Sequence, residues 1–311
     1  MLMAYGAPSS IDDVGDFFTH IRHGRRPPEE KIEELKGRYR TIGGGESLLR
    51  ITTEQAAALE AKLSSDGGDP VNVFYGMRHA KPFIAERAEA LKAAGIRRLV
   101  GLPLAPHYST MSVGAYHDAL RSATESLDPA PRLHLIDSWH DHPLFIAALA
   151  EALQSTLTAF RDATKEPIRI LFTAHSLPER IVAAGEPYRD QLHATARLTA
   201  ASSSETDWEF AFQSASPTGE PWLGPDIFEV LKRLRKEGRR AALIQPVGFV
   251  ADHLEILYDI DVLCRRLGEE IGMEVRRTPS MNARPAFITA LAAIVRERLG
   301  DASHGAASRR T

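Results

Sequence analysis

"LFTAHSLPERI", residues 171–181, decides how the chain is read. Ile168 to Phe172 alternate branched and long apolar side chains, the pattern of a buried strand. Leu177-Pro178 then forces a turn or a helix start, because proline fixes φ and lacks a backbone donor. His175 therefore stands where a buried strand opens into a loop. Outward from it the same pattern recurs. Apolar runs at 1–5, 71–76, 98–104, 132–137, 168–173, 208–213, 241–246 and 273–277 read as strands. Between most of them lie helical patterns such as "TEQAAALEAKLSS", "KPFIAERAEALKAAG" and "PLFIAALAEALQSTLTAF". Strand and helix in alternation imply parallel sheets covered on both faces. The strands divide four and four, with a long helix near 143–162 between them, so two similar α/β halves should meet at a cleft.

The chain's 311 residues suffice for two domains with a core each. Its 38 basic and 41 acidic side chains give a net charge of −3 and no electrostatic case for nucleic acid. The single cysteine, Cys264, excludes an internal disulfide, a cysteine-only metal site and an all-cysteine iron–sulfur cluster within one chain. No apolar run reaches the ~20 residues that span a bilayer, and no basic leader with an apolar stretch opens the chain. A cytoplasmic protein without membrane insertion is the expectation. The small, polar segment 301–311 should be a frayed tail.

Open parallel sheets bind ligands beyond the carboxyl ends of their strands. Those ends carry Tyr5 and Gly6, then Arg78 and His79, then His107 to Thr110, then His175, then His253 and Glu255. One histidine alone is more often a satisfied or exposed residue than a working one. Five strand ends delivering proton-bearing or lone-pair side chains to one rim imply a polar cleft. Glu255 and Asp259 are four apart on a helix-like stretch, 251–270, and share a face; the spacing alone fits a solvated acidic stripe as well as a working carboxylate pair. There is no HExxH or paired cysteine motif, no G-x-S-x-G around Ser176 and no G-x-G-x-x-G, so a closed zinc site, a hydrolase elbow and a dinucleotide fold are not indicated.

These motifs resemble the ferrochelatases, and within them the soluble coproporphyrin III ferrochelatases of Gram-positive bacteria. The likeness runs through "MAYG" (3–6), "THIRHGRRP" (19–27), "LKGRYRTIGG" (35–44), "YGMRHAKPFI" (75–84), "LAPHYSTMSVGAY" (104–116), "TAHSLPERI" (173–181), "PWLGPD" (221–226) and "PVGFVADHLEILYDID" (246–261). It implies the chelatase fold: an α/β chain of two Rossmann-like domains, each with a four-stranded parallel sheet flanked by helices. These would be 1–145, with a porphyrin-contacting segment at 8–50, and 146–300, carrying His175 and Glu255, with the last helix able to pack back on the first domain. It implies insertion of Fe²⁺ into a porphyrin. His175 and Glu255 would face each other across the cleft as proton acceptors and metal contacts, with Tyr5 on the opposite porphyrin face. Arg22, Arg38, Tyr39 and Tyr116 match positions that touch the porphyrin or its propionates. His79 and Asp259 would be accessory. Iron is then a substrate, with no tightly bound cofactor and no iron–sulfur cluster expected. A monomer with transient contacts to neighbouring haem-pathway enzymes is the expected state.

Two departures stand out. Glu46 occupies the place of a propionate-contacting serine, with Ser47 one residue on and able to take its role. Leu263 replaces a third acidic residue eight positions after Glu255. The chemistry nevertheless wants these residue types. Metal must displace two pyrrole protons, and a neutral imidazole near pH 7 is both a proton acceptor and a ligand for Fe²⁺. Segment 8–50 carries Arg22, Arg25, Arg26, Arg38, Arg40 and Arg50. Arginine grips carboxylates bidentately, which favours coproporphyrin III, with its four propionates, over protoporphyrin IX. The ordinary alternative is that several of these arginines pair with Glu29, Glu30, Glu33 and Glu34. A cobalt or nickel chelatase and a non-catalytic haem or porphyrin carrier are the competing functions.

Overall fold

The computed structural model describes residues 1–65, 70–216 and 218–307, and of residues 301–307 only the backbone. The strands are β1 Leu2–Ala4, β2 Tyr75–Met77, β3 Arg98–Pro103, β4 Arg132–Leu135, β5 Ile168–His175, β6 Trp208–Gln213, β7 Ala241–Pro246 and β8 Glu274–Arg277. The helices are α1 Val14–Ile21, α2 Glu29–Thr41, α3 Ser47–Ser65, α4 Ala88–Ala93, α5 Ala115–Glu125, α6 Pro143–Ala163, α7 Arg180–Ala183, α8 Tyr188–Ser202, α9 Ile227–Lys236, α10 Leu254–Leu257, α11 Arg265–Ile271 and α12 Pro285–Ala307.

Two sheets form, with orders β2-β1-β3-β4 and β6-β5-β7-β8, and every pairing is parallel. The second order repeats the first, so the expected four-plus-four α/β architecture is present. Parallel strands need crossover segments, and helices supply them here. In both sheets the strand that opens the half is an inner one, with its successor on the outside and the third strand on its other flank.

Four departures from the sequence expectation stand out. The strand expected at 71–76 forms only at Tyr75–Met77, because β1 is three residues long and its ladder begins at Leu2↔Tyr75. β5 runs two residues further than expected, since β6 pairs with it up to His175↔Gln213. The helical stretch 251–270 is broken by a π-helical turn, Asp259–Cys264, where the amides of Val262 and Leu263 both bond the carbonyl of Tyr258. Helix α12 continues through 301–307, where a tail was expected, and 308–311 lie outside the described residues.

The largest apolar core belongs to both sheets. Leu2 and Val100 of the first sheet and Phe172 and Leu243 of the second join one cluster with Phe145, Leu153 and Phe160 of α6 and Phe287 and Leu291 of α12. Burying each such side chain contributes about 1.5–3 kcal/mol. Helix α6 has the length and apolarity to cross a membrane, the only such helix among the described residues. Half of its apolar window is buried inside the protein, with α8 and α12 packed against it. Helix α12 also lies against α3 and reaches β3 and β4.

Candidate active site

The strand ends of the second sheet build one wall. β7 stops at Pro246, and Gly248 lets the following loop cross against β5: a Cβ there would lie 2.5 Å from the Ala174 Cβ. That close approach brings His253 and α10 up to the end of β5. Glu255, in the first turn of α10, then meets His175, with Oε2 2.9 Å from Nδ1. An ionised carboxylate can only accept, so Nδ1 carries the proton of a neutral His175 and its Nε2 lone pair is left free. The Trp222 ring stands edge-on to His175, with centroids 6.3 Å apart. Nε2 of His253 lies 4.0 Å from the same Glu255 oxygen. Its Nδ1 is 2.9 Å from the Ala251 carbonyl, which can only accept, so Nδ1 donates and Nε2 is the nitrogen that faces Glu255. Asp259 follows one turn on, and its carboxylate accepts from the Ser214 hydroxyl.

Burial opposes charge on both members of the pair. For His175 desolvation pulls the pKa down, but the Glu255 charge, its hydrogen bond and Asp259 outweigh it, and the pKa is raised. For Glu255 burial pushes up, while His175 and then His253 hold the carboxyl down at about 2. Asp259 moves the other way. Burial and the nearby Glu255 charge raise it, against the Ser214 bond and the Arg38 and His253 charges. An imidazole with a bound counter-charge on one nitrogen and an open lone pair on the other can take a proton or touch a metal ion. Among the described residues no group of three or more His, Cys, Asp or Glu side chains is arranged to hold an ion.

The first sheet supplies the facing wall. Tyr5 follows β1 and is 42% exposed. The chain turns immediately at Gly6, whose φ is +98° and where a Cβ would meet the Ala80 amide at 2.9 Å, so only glycine fits. The Tyr5 ring lies 4.6 Å from that of His79, itself buried beside β2 with Nδ1 3.0 Å from Nδ1 of His20. Burial, then Arg78, His20 and His23, depress His79 to about 3, so it is neutral. The Tyr5 phenol is pushed up to about 12, by burial first and by the Glu255 charge second. Tyr5 and Glu255, from the two sheets, therefore lie within electrostatic reach of each other. Tyr39 of α2 and Tyr116 of α5, both buried, are also raised by burial and feel both Tyr5 and Glu255.

The remaining expected residues, Arg22, Arg38 and Ser47, belong to the stretch from α1 to α3. Arg38 lies over the Tyr258 ring at 5.6 Å and pairs with Glu34 at 2.6 Å. Arg22 is exposed at the end of α1, over the Phe18 ring at 5.9 Å. Ser47 is the first residue of α3, next to Leu48, which packs with Ala7 and Ala251 between the two walls. Glu46 beside it is exposed. Among the described residues no contact joins Arg22 or Ser47 to the His175–Glu255 pair. Arg26, Arg38, Arg40 and Arg50 all have acidic partners in the chain, Glu29, Glu34, Glu33 and Glu54. The pairing alternative therefore describes Arg26, Arg38 and Arg40 as they stand, while Arg50 pairs outside it, with Glu54.

Of the five strand ends, those with His175 and Glu255 meet directly, and Tyr5, with the His79 ring beside it, lies within electrostatic reach of Glu255. His107 does not stand open: it is 2% exposed and bonded to Thr195 at 2.8 Å. Two participants escaped the sequence reading. Gln213 ends β6 and donates to the Glu255 backbone carbonyl at 2.8 Å; asking what ends each strand would have found it. Tyr188 donates to the His175 carbonyl at 3.0 Å, and no periodicity announces it.

Comparison with known proteins identifies the family. The family model described as ferrochelatase matches residues 1–299. The chain is 42% identical over 300 residues to the coproporphyrin III ferrochelatase of Geobacillus kaustophilus, covering 96% of this chain and 95% of the relative. It is 39% identical to a ferrochelatase of Herpetosiphon aurantiacus, with 95% and 97% covered. Among solved structures, SirB from Bacillus subtilis with Fe³⁺ superposes with a TM-score of 0.60 at 15% identity, over 80% of this chain and 90% of that one. CbiX, from siroheme biosynthesis in denitrifying bacteria, gives 0.52 at 13%, over 95% and 97%. Those two likenesses concern the fold alone.

Proposed function

The chain belongs to the ferrochelatase family, and on that premise we propose that it inserts Fe²⁺ into coproporphyrin III, releasing two protons and giving Fe-coproporphyrin. The observation that carries the mechanism is the 2.9 Å contact between His175 Nδ1 and Glu255 Oε2. His175 presents Nε2 to the porphyrin nitrogens; its one free lone pair first meets the incoming iron and, once the iron has passed to the ring nitrogens, takes a pyrrole proton. Glu255 stabilises the imidazolium and accepts the second proton. Tyr5 lies against the opposite porphyrin face. Metal insertion needs the nitrogen lone pairs tilted toward one face, and binding of the ring periphery supplies the energy for that distortion.

The substrate assignment rests on the names of relatives 42% identical over nearly the whole chain and on the arginines of segment 8–50. Arg22, Arg38, Tyr39, Ser47 and Tyr116 make the porphyrin contacts, with His79 and Asp259 in accessory positions. The arginines' ion pairs are solvent-exposed and worth only about 0–1 kcal/mol each, so propionates can displace the glutamates at little cost. Glu46 counts the other way at its own position, since an exposed carboxylate would repel a propionate, so Ser47 takes that contact. The enzyme acts in the cytoplasm as a monomer. The test is repeated turnover. Anaerobic Fe²⁺ and excess coproporphyrin III should yield many equivalents of product per protein, with two protons released per ring in weak buffer. A single equivalent bound and held would sink the enzymatic reading in favour of a carrier.

A further inference from the structure

We propose that one polar stripe of α8 (Tyr188, Gln191 and Thr195) is the positioning element for His175, and that it acts through the Tyr188 hydroxyl. The proposal rests on the reading of His175 as the proton acceptor.

The need arises from the sheet. In a strand, the carbonyls of residues i and i+2 point the same way. The Thr173 carbonyl accepts from the Gly248 amide on the β7 side. Two residues on, the His175 carbonyl points to that side as well, but β7 has ended at Pro246 and no ladder donor remains. Tyr188 fills the gap, its hydroxyl 3.0 Å from that carbonyl. On the opposite side the Ser176 amide is held by the Gln213 carbonyl at 2.8 Å, and the Ser176 hydroxyl bonds the Leu223 carbonyl at 2.7 Å. The peptide after His175 is thus fixed from both sides, and with it the direction in which the imidazole leaves the strand.

Tyr188 is fixed in turn. Positions 188, 191 and 195 follow the i, i+3, i+7 spacing of one helix face. The Tyr188 ring meets His107 edge-on, with centroids 6.4 Å apart. Thr195 Oγ1 lies 2.8 Å from both the His107 Nε2 and the His140 carbonyl. Its one proton goes to that carbonyl, so His107 donates its ring N–H to Thr195. Gln191 Oε1 accepts from the Tyr108 amide at 2.6 Å and lies 3.2 Å from the Ser138 hydroxyl, whose one proton also reaches the Pro106 carbonyl at 2.9 Å. His107 and Tyr108 follow β3; Ser138 and His140 follow β4. The stripe therefore joins the strand ends of the first sheet to the last residue of β5. A flat ring held between Tyr5 and His175 demands that their spacing be kept, and α8 spans the two walls. Tyr188, His107 and Thr195 are buried, which keeps the geometry independent of solvent.

Tyr188→Phe tests this, because it keeps the ring against His107 and removes only the hydroxyl. A misplacement of about 1 Å at a reacting group costs on the order of 10²-fold, and a partly restrained His175 should lose about 10- to 50-fold in kcat. KM for coproporphyrin III should stay within about twofold, since the porphyrin-contacting walls are untouched. The His175 ring resonances in a ¹⁵N-histidine spectrum should shift or broaden. Thr195→Val should act in the same direction through His107, and it decides the matter if Tyr188→Phe does not fold. Wild-type kcat and unmoved His175 resonances in a folded variant would overturn the proposal. His175→Ala, measured alongside, separates the two failures: if it is inactive while Tyr188→Phe is normal, only the positioning role falls. If His175→Ala turns over normally, the underlying reading of His175 falls instead.

Discussion

Glu255→Gln removes one negative charge and keeps the shape of the side chain. In the wild type, the Glu255 carboxylate is what outweighs desolvation at His175, so without it the imidazole pKa should fall below its ordinary 6.5. Two unit charges about 4 Å apart interact by about 4 kcal/mol at an effective dielectric constant near 20. A third of the Glu255 side chain is open to solvent, which roughly halves that to ~2 kcal/mol. That loss makes His175 a weaker base and slows proton transfer to it severalfold. Loss of the second proton acceptor costs on the order of 10²-fold more, so kcat should fall by about 10²–10³ in all. The signature lies in the pH profile. A base works only when deprotonated, so the wild-type acid limb of kcat/KM should centre above 6.5, and the variant's below it. The assay is anaerobic Fe²⁺ insertion followed by absorbance from pH 5.5 to 9. A variant within threefold of wild type, with the acid limb unmoved, would refute the reasoning.

Four further outcomes are expected. The pair's effect on stability has a window: Glu255, depressed to about 2, stabilises the fold above about pH 4.5, and His175, with its raised pKa, does so below about 6.5 and loses the effect as pH rises through its folded value. The melting-temperature gap between wild type and Glu255→Gln should therefore peak near pH 5–6 and shrink toward pH 9; a flat gap would contradict the coupling. His79, held near 3, resists a proton that the unfolded chain accepts below 6.5, so its contribution to stability falls by up to ~1.4 kcal/mol per pH unit on acidification; His79→Asn should flatten that slope in urea titrations. Gly248→Ala places a methyl 2.5 Å from the Ala174 Cβ, and should cost about 1–3 kcal/mol and lower turnover by pushing His253 and Glu255 away from His175. Phe145→Ala empties a fully buried site in the shared core, and should cost about 3–5 kcal/mol while leaving one calorimetric transition; two separate transitions would show that the halves do not share their stability.

Much of this was legible in the residues because parallel strands buried on both faces write themselves as unbroken apolar runs. β7, Ala241–Pro246, is buried at every position and was placed to the residue. β2 was misplaced because its length is set by its partner β1, which no pattern in 71–76 reports. The π-helical turn at Asp259–Cys264 was invisible for a similar reason. Its apolar residues keep a helical rhythm while the backbone inserts one extra residue at Tyr258, and such insertions recur at functional sites. His175 and Glu255 were found from strand-end logic and motif resemblance. His107 shows the limit of that logic, since it follows a strand but turns inward to Thr195. Tyr188 shows the complementary limit, since a helix 13 residues further on lends a hydroxyl to a backbone carbonyl and leaves no mark in spacing.

The most direct measurement compares coproporphyrin III and protoporphyrin IX as substrates for Fe²⁺ insertion by the same preparation, anaerobically and without detergent. The account predicts repeated turnover of coproporphyrin III with kcat/KM at least about tenfold higher, since two additional propionates meet the arginines of segment 8–50. Equal or faster turnover of protoporphyrin IX would contradict the substrate assignment. Insertion into neither would contradict the function.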